Sequence, residues 1–154
     1  MKLTTRGRYA LRLMAAIARA GGETAPVTLE SVARETDISK KYLEQIAIPL
    51  KRAGLLIGLP GRGGGYRLPR PPQAIDLATV IEAALGPISV VACVMDPGDC
   101  DRAGTCEARM IYALATRAMR DVFASHTLAD LVDPSRLRRE LLALSEPGLD
   151  TQTG

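Results

Sequence analysis

Residues 28–54, TLESVARETDISKKYLEQIAIPLKRAG, hold two short helical patterns separated by a tight turn at Asp37. Thr28 and Ser39 each stand where a helix would begin, and a hydroxyl there can accept a hydrogen bond from a backbone N–H of the first turn. The second pattern places four apolar residues at helical spacing, which we expect to be buried: Leu43, Ile46, Ala47 and Leu50. Two short helices around a turn predict a helix-turn-helix.

The outward face of the second helix carries polar side chains that could reach DNA. Lys40 and Lys41 suit phosphate oxygens, whereas Gln45 can pair with adenine. Glu44 can accept a hydrogen bond from cytosine N4, and a carboxylate so near phosphates is unfavourable unless it reads a base. Alternatively, Glu44 only stabilises the start of the helix through the helix dipole. The predicted DNA-binding residues of this helix are Ser39, Lys40, Lys41, Tyr42, Glu44 and Gln45.

Pro49 interrupts the same helical pattern. Inside a helix a proline removes a backbone hydrogen bond at a cost of about 3 kcal/mol. We therefore expect a kink or a frayed last turn at this residue, before Gly54 ends the helix.

The next stretch, residues 55–68, alternates between β-type runs and a glycine-rich tip. Leu55–Leu59 is an apolar run, PGRGGG follows, and Tyr66–Leu68 returns as a partner strand. This pattern predicts a β-hairpin wing that brings Arg62, Gly63 and Gly64 to DNA. A nucleotide-binding loop is the alternative, but the tip lacks the Lys-Ser/Thr of a P-loop and opens no helix.

Further helices are predicted on both sides of this unit. The chain opens with possible caps at Thr4 and Thr5 before an Ala/Leu/Arg stretch, and Asp76 can cap a helix that ends at Gly86. Residues 108–125 contain no Gly or Pro and predict the longest helix. Its broad apolar stripe, the basis for a predicted dimerisation helix, consists of Ile111, Leu114, Ala115, Ala118, Met119, Val122 and Phe123. Its polar stripe consists of Arg109, Thr116, Arg117 and Arg120.

Composition favours a helical protein, since 47% of the 154 residues are hydrophobic but only 3% are aromatic. The predicted fold is mainly α with a small β-hairpin: a winged helix-turn-helix domain plus a long dimerisation helix. We divide the chain into a DNA-binding domain (1–85), a cysteine loop (86–107), a dimerisation helix with short helices packing back on it (108–145), and a disordered tail (146–154). Most Lys and Arg residues lie in the first half, which therefore carries the basic surface. No apolar run is long enough to span a membrane, so we expect a cytoplasmic protein.

All three cysteines lie in one stretch, VACVMDPGDCDRAGTCE at residues 91–107. Cys93, Cys100 and Cys106 are seven and then six residues apart, and a proline and glycines interrupt regular structure between them. We therefore expect a loop that wraps the thiols around a common centre. The odd number argues against a disulfide framework, and soft thiolates favour an iron–sulfur cluster. Zinc ranks second because the gaps are wide, and three unrelated thiols are the remaining alternative.

Several motifs together resemble the bacterial Rrf-type winged-helix regulators, the group that contains IscR, NsrR and RirA. They are MKLTTRGRYALRLM at the start, Ser39 with YLEQ, KRAGLL, the wing GRGGGYRL, and the three-cysteine loop. The resemblance covers nearly the whole chain and points to the cluster-binding branch. It implies a homodimeric transcription factor, not an enzyme, that binds double-stranded operator DNA. Its three cysteines would ligate a 2Fe-2S or 4Fe-4S cluster that senses iron, cluster supply, redox state or nitric oxide.

The sequence departs from this family pattern at the fourth cluster ligand. Some members carry a histidine three residues after the last cysteine, where this chain has Arg109, which cannot ligate. Others use an early carboxylate of the partner subunit, a region occupied here by Arg6, Arg8 and Arg12. A solvent or small-molecule ligand stays open, as do the local carboxylates Asp96, Asp99, Asp101 and Glu107. The alternative function is a thiol-based or zinc-binding redox regulator of the same fold without a cluster.

Overall fold

The structure is a computed structural model that describes residues 4–145. The helices are α1 (Thr5–Arg19), α2 (Leu29–Thr36), α3 (Lys40–Arg52), α4 (Leu77–Leu85), α5 (Ala92–Met95), α6 (Glu107–Ala124), α7 (Leu128–Val132) and α8 (Ser135–Ser145). The strands β1 (Ile57–Leu59) and β2 (Gly65–Arg67) form an antiparallel hairpin, and 3₁₀ turns span Pro72–Ala74 and Pro97–Asp99. This confirms a mainly α fold with a small hairpin. The predicted disordered tail, 146–154, lies outside the described residues.

Side-chain caps fix where the helices begin, as predicted. Thr28 accepts a hydrogen bond from the backbone N–H of Ser31 at 3.2 Å, and Ser39 accepts one from that of Tyr42 at 3.3 Å. Between α2 and α3, Asp37 adopts a left-handed conformation with φ of 56°, which reverses the chain in a single residue. The four apolar residues predicted to face inward from α3 are fully buried. The predicted helix-turn-helix is thereby confirmed.

The hydrophobic core surrounds α1, whose Leu13, Met14 and Ile17 have no exposed surface. Helices α2, α3, α4 and α7 all pack on α1. Leu128 of α7 is fully buried in this core, and its backbone N–H donates to the Ile75 carbonyl at 2.8 Å. The sequence predicted that α7 packs on the long helix α6. It packs instead on α1 and on the turn at Pro72–Ala74. The physical reason is that Leu128 completes the core of the winged unit.

Pro49 does not fray the end of α3. The helix continues past it to Arg52, and the Ala53 N–H donates to the Pro49 carbonyl at 3.0 Å. Leu50, the next residue, is fully buried and anchors this last turn in the core. The expected frayed turn is therefore wrong, because tertiary packing stabilises the turn despite the lost backbone bond.

The two stripes of α6 face opposite sides, and the packing of the polar stripe on the rest of the chain was not predicted. Three members of the predicted polar stripe face the rest of the chain, where each has a partner: Arg109, Thr116 and Arg120. Much of the predicted apolar stripe faces away, and Ile111, Leu114 and Val122 are 63%, 63% and 59% exposed. Only Met119 and Phe123 pack inward, on Ile81 and its neighbours. Among residues 4–145, no helix has the length and apolar character needed to cross a membrane.

Candidate DNA interface and cysteine segment

The exposed face of α3 brings together most of the residues predicted to bind DNA. Ser39, Lys40, Lys41, Glu44 and Gln45 are all exposed. They can stand outward because the opposite face of the helix is anchored in the core. Their contact with DNA stays a prediction.

Tyr42 differs from its neighbours because it is only half-exposed. Its ring meets that of Tyr9 on α1 edge to face, with centroids 5.8 Å apart and planes at 80°. The Arg12 guanidinium carbon lies 5.7 Å from the centroid of the Tyr9 ring. Tyr42 therefore joins α3 to α1, and only its remaining exposed part is available to DNA.

An ion-pair network joins α2 to the start of α3. The Lys40 ammonium contacts the Glu30 carboxylate and lies 4.0 Å from that of Glu44. The hydrogen bond between Lys40 and Glu30 raises the pKa of Lys40 and lowers the pKa of Glu30. Sequence reasoning missed Glu30, since only the helix-turn-helix geometry brings a residue of α2 to the first turn of α3.

The wing is fixed to the beginning of α2 by its own backbone. Val27 and Tyr66 exchange two hydrogen bonds of 2.8 Å each, just before the α2 cap. Gly65 has φ of +152°, and a Cβ there would lie 2.5 Å from the Val27 carbonyl oxygen. Only glycine permits so close an approach of these two backbone segments. The hairpin therefore lies against α2 in one definite orientation.

The tip of the wing lies beside the outward face of α3. A cleft is lined by Lys40 and Glu44 on one side and by Gly61, Gly63 and Gly64 on the other. Arg62, between these glycines, is exposed. Helix α3 and the wing tip thus border one cleft, with charged side chains on one side and glycines on the other.

The three cysteines lie on three different local structures. Cys93 is half-buried on α5, Cys100 is exposed after the 3₁₀ turn, and Cys106 is half-buried at the start of α6. Within residues 4–145, no three Cys, His, Asp or Glu side chains form a group that could hold a metal ion. The expected wrapping of the loop around one centre is therefore not observed. The thiols lie on separate short elements, and the ligand role of the cysteines stays a prediction.

Polar contacts tie the cysteine segment to α6. The Arg109 Nε donates to the Cys93 carbonyl at 2.9 Å, and the Val90 N–H donates to Thr116 Oγ1 at 3.1 Å. Thr116 is buried, and this part-buried bond gives its hydroxyl a partner inside the protein. Arg109, at the position where the family resemblance suggested a ligand, instead braces the helix that carries Cys93.

His126 makes its contacts well away from this segment. Its Nδ1 lies 2.7 Å from the Val122 carbonyl oxygen, and its Nε2 lies 2.7 Å from a carboxylate oxygen of Glu140 on α8. The carbonyl and then the carboxylate raise the pKa of His126. Both ring nitrogens therefore serve to join α8 to the end of α6.

Comparison with known proteins identifies the family. The Rrf2 family profile, described as "Iron-dependent Transcriptional regulator", matches residues 3–134. The chain belongs to the Rrf2 family. This confirms the resemblance drawn from the sequence motifs, and it identifies the chain as a DNA-binding transcriptional regulator.

Relatives of this Rrf2-family chain include regulators with two different names. The HTH-type transcriptional regulator CymR of Bacillus subtilis is 37% identical over 131 residues, 85% of this chain and 89% of that protein. The regulator IscR of Vibrio campbellii is 32% identical over 146 residues, 95% of this chain and 83% of that protein.

Solved structures of the same two kinds share the fold. The B. subtilis CymR structure, titled as that of the global cysteine regulator, has a TM-score of 0.71 and 34% identity, covering 88% of this chain and 98% of that chain. The T. potens IscR structure has a TM-score of 0.68 and 27% identity, covering 96% and 94%. The winged-helix architecture of the Rrf2-family chain is therefore established.

Proposed function

We propose that this regulator is a cytoplasmic homodimer that binds operator DNA and senses iron, cluster supply, redox state or nitric oxide through an iron–sulfur cluster. The proposed ligands are Cys93, Cys100 and Cys106. The observation that carries the proposal is that every thiol of the chain lies in one segment braced against α6, the helix with the large exposed apolar face. A change at the thiols would therefore act directly on α6.

The DNA-binding part of the proposal rests on the surface formed by α3 and the wing. We assign base reading to Glu44 and Gln45, phosphate contacts to Lys41, and groove insertion to Arg62 at the wing tip. Ser39 and the exposed part of Tyr42 border this surface, and Gly63 and Gly64 let the backbone of the wing approach the duplex. Residues 1–85, completed by α7, form the proposed DNA-binding unit.

The donor chemistry of the segment suits the proposed cluster. Thiolates are the usual protein ligands of iron–sulfur clusters, and three are present. Because the three thiols form no metal-holding group within residues 4–145, ligation would require the segment 92–106 to change shape. When bound, the cluster would supply redox-sensitive and ligand-sensitive iron. The chain itself would contribute the bracing of the segment by Arg109 and Thr116, which links that shape to the position of α6.

The homodimer rests on the outward face of α6. Ile111, Leu114 and Val122 lie three, eight and eleven residues apart on one side of the helix and are each more than half exposed. A contiguous apolar strip of this kind is unfavourable in water and typical of a subunit interface. A second copy of the same strip would cover it by two-fold symmetry.

A thiol-based or zinc-binding regulator without a cluster is the second candidate. Two observations favour it: Cys100 is exposed and free, and one structural neighbour is titled a global cysteine regulator. An exposed thiol can react directly with an oxidant. The two candidates share the DNA interface and differ only in what the cysteines carry.

Anaerobic purification of the full chain distinguishes the two candidates. Visible absorbance with matching iron and sulfide contents supports the cluster, and each Cys→Ala variant should then lose the absorbance. His126→Ala is the matched control, because both ring nitrogens of His126 are occupied elsewhere, and it should keep the absorbance. A colourless protein, with or without zinc, refutes the cluster. Retention of the spectrum in any cysteine variant refutes that ligand.

A second experiment tests the DNA interface. Affinity is measured for an operator selected from a random duplex pool and for copies changed at each base pair. Glu44→Ala should relax discrimination at one base pair, by the roughly 1–3 kcal/mol of a good base contact. Arg62→Ala should weaken binding to all duplexes and make the salt dependence shallower. An even loss in Glu44→Ala, or an unchanged salt slope in Arg62→Ala, would remove that residue from the interface.

A further inference from the structure

The charges around Lys40 do not match a simple phosphate contact. Its ammonium contacts the Glu30 carboxylate of α2 and lies 4.0 Å from the Glu44 carboxylate of α3. All three side chains are about half exposed, at 48%, 59% and 52%. One cation between two carboxylates gives this patch a net negative charge. Such a patch repels phosphates and is useful on a DNA-binding surface only if it is held over a base edge.

The position of the patch supports that role. Glu30, Lys40 and Glu44 line one side of the cleft whose other side is the wing tip. Glu44 lies one helical turn after Lys40, so a cation fixed at Lys40 restrains the rotamers open to the Glu44 side chain. Glu30 contacts that cation from α2 and so holds it at the first turn of α3, beside Glu44.

We propose that Glu30 is a specificity-determining residue that acts through Lys40 to orient Glu44 toward a base. This rests on the proposed reading of a base pair by Glu44. Glu30 is a positioning residue and need not touch DNA. Lys40 links Glu30 to Glu44 and contributes to base discrimination rather than to general phosphate affinity.

The decisive measurement is discrimination at the base pair that Glu44 reads. The full chain is titrated with an operator duplex selected from a random pool and with duplexes changed at each single base pair. Glu30→Gln should reduce discrimination at that one base pair by about fivefold or more, a large part of a good base contact. Discrimination at the other base pairs should stay unchanged. A purely structural role would alter affinity for all duplexes together.

Glu35→Gln is the matched control. Glu35 lies on the same helix, is exposed, and pairs with Arg19 at 2.7 Å, so its replacement makes the same change in net charge. It should leave discrimination unchanged. Thermal unfolding of each variant confirms that it is folded.

Two variants of Lys40 test the connection itself. Lys40→Gln should relax the same base pair, and Glu30→Gln should then add nothing in the double variant, as expected when one residue acts through the other. Lys40→Arg keeps a cation with donors for both carboxylates and should retain discrimination. Additive losses in the double variant would overturn the proposal.

The outcomes separate this inference from the function on which it rests. If Glu44→Ala leaves every base pair unaffected, base reading by Glu44 is wrong and the inference falls with it. If Glu44→Ala relaxes one base pair but Glu30→Gln does not, only the inference is wrong. If Glu30→Gln strengthens binding to all duplexes and steepens the logarithmic salt slope by about one, Lys40 is a phosphate contact released from Glu30, and the inference is again wrong.

Discussion

Replacement of Gly65 by Ala should detach the wing from the helix-turn-helix. A Cβ at this position would lie 2.5 Å from the carbonyl oxygen of Val27 and 2.7 Å from its carbonyl carbon. Both distances are far shorter than any ordinary contact between such atoms, and both neighbours are backbone. Strand β2 and the segment at Val27 must therefore separate, which breaks the two 2.8 Å hydrogen bonds between Val27 and Tyr66.

The size of the effect follows from these contacts. Two exchanged backbone hydrogen bonds contribute about 0.5–1.5 kcal/mol each. The φ of +152° adds strain of about 1–3 kcal/mol for any residue with a side chain. The expected loss in the free energy of unfolding is about 2–6 kcal/mol, within the total stability of an ordinary domain. A folded protein with a displaced wing is the expected product.

Urea unfolding and operator binding, measured on the same samples, test this prediction. Gly61→Ala is the matched control, since Gly61 has a φ of +94° but no atom within 4 Å of a Cβ placed there. Gly61→Ala should lower the free energy of unfolding only by the backbone strain, about 1–3 kcal/mol. Gly65→Ala should be less stable than Gly61→Ala and should bind the operator more weakly. Equal losses of stability in the two variants would show that the close approach to Val27 does not hold the wing.

Three further predictions concern α6 and its surroundings. Thr116→Val should lower the free energy of unfolding by about 0.5–1.5 kcal/mol in urea titrations, because the part-buried Val90 N–H loses its acceptor; an unchanged value would contradict this. The raised pKa of His126 means that its contribution to stability is complete below its ordinary value of 6.5 and is lost as the pH rises through the folded-state value. Thermal midpoints should therefore fall between pH 6 and 9 more in the unmodified protein than in His126→Gln, and parallel curves would refute the role. If the proposed homodimer forms through the outer face of α6, Leu114→Glu should dissociate it in sedimentation experiments, whereas Arg117→Glu on the same helix should not.

Local signals in the sequence were sufficient to predict the winged helix-turn-helix. Thr28, Ser39 and Asp76 act as caps because their oxygen atoms satisfy backbone N–H groups within the next three residues. The hairpin likewise follows from a glycine-rich tip between two short apolar runs. Such features need no knowledge of the rest of the chain, and for this reason their positions were predicted to within a few residues.

The orientation of α6 could not be obtained in this way. Helical spacing gives two stripes and predicts a dimer contact for the apolar one, but it does not indicate that the polar stripe packs on the rest of the chain. The inward orientation depends instead on partners far along the chain, since Arg120 pairs with Glu82 at 2.9 Å and Thr116 bonds Val90. The pair of Glu30 and Lys40 was missed for the same reason. In both cases tertiary geometry supplies polar partners that no local pattern indicates.

The inward polar face of α6 also gives the cysteine segment a physical connection to the recognition helix. Three side chains along α6 make these contacts. Arg109 donates a hydrogen bond to the Cys93 carbonyl of α5, Thr116 accepts one from the Val90 N–H, and Arg120 donates to the Glu82 carboxylate of α4. Helix α4 in turn packs on α1 and α3. A change of shape at the cysteines must therefore either break the contacts of Arg109 and Thr116 or move α6 with them. If α6 moves, α4 on its inner face and the proposed partner subunit on its outer face would move with it. The spacing of the two proposed recognition helices would then change without any contact between the cysteines and DNA.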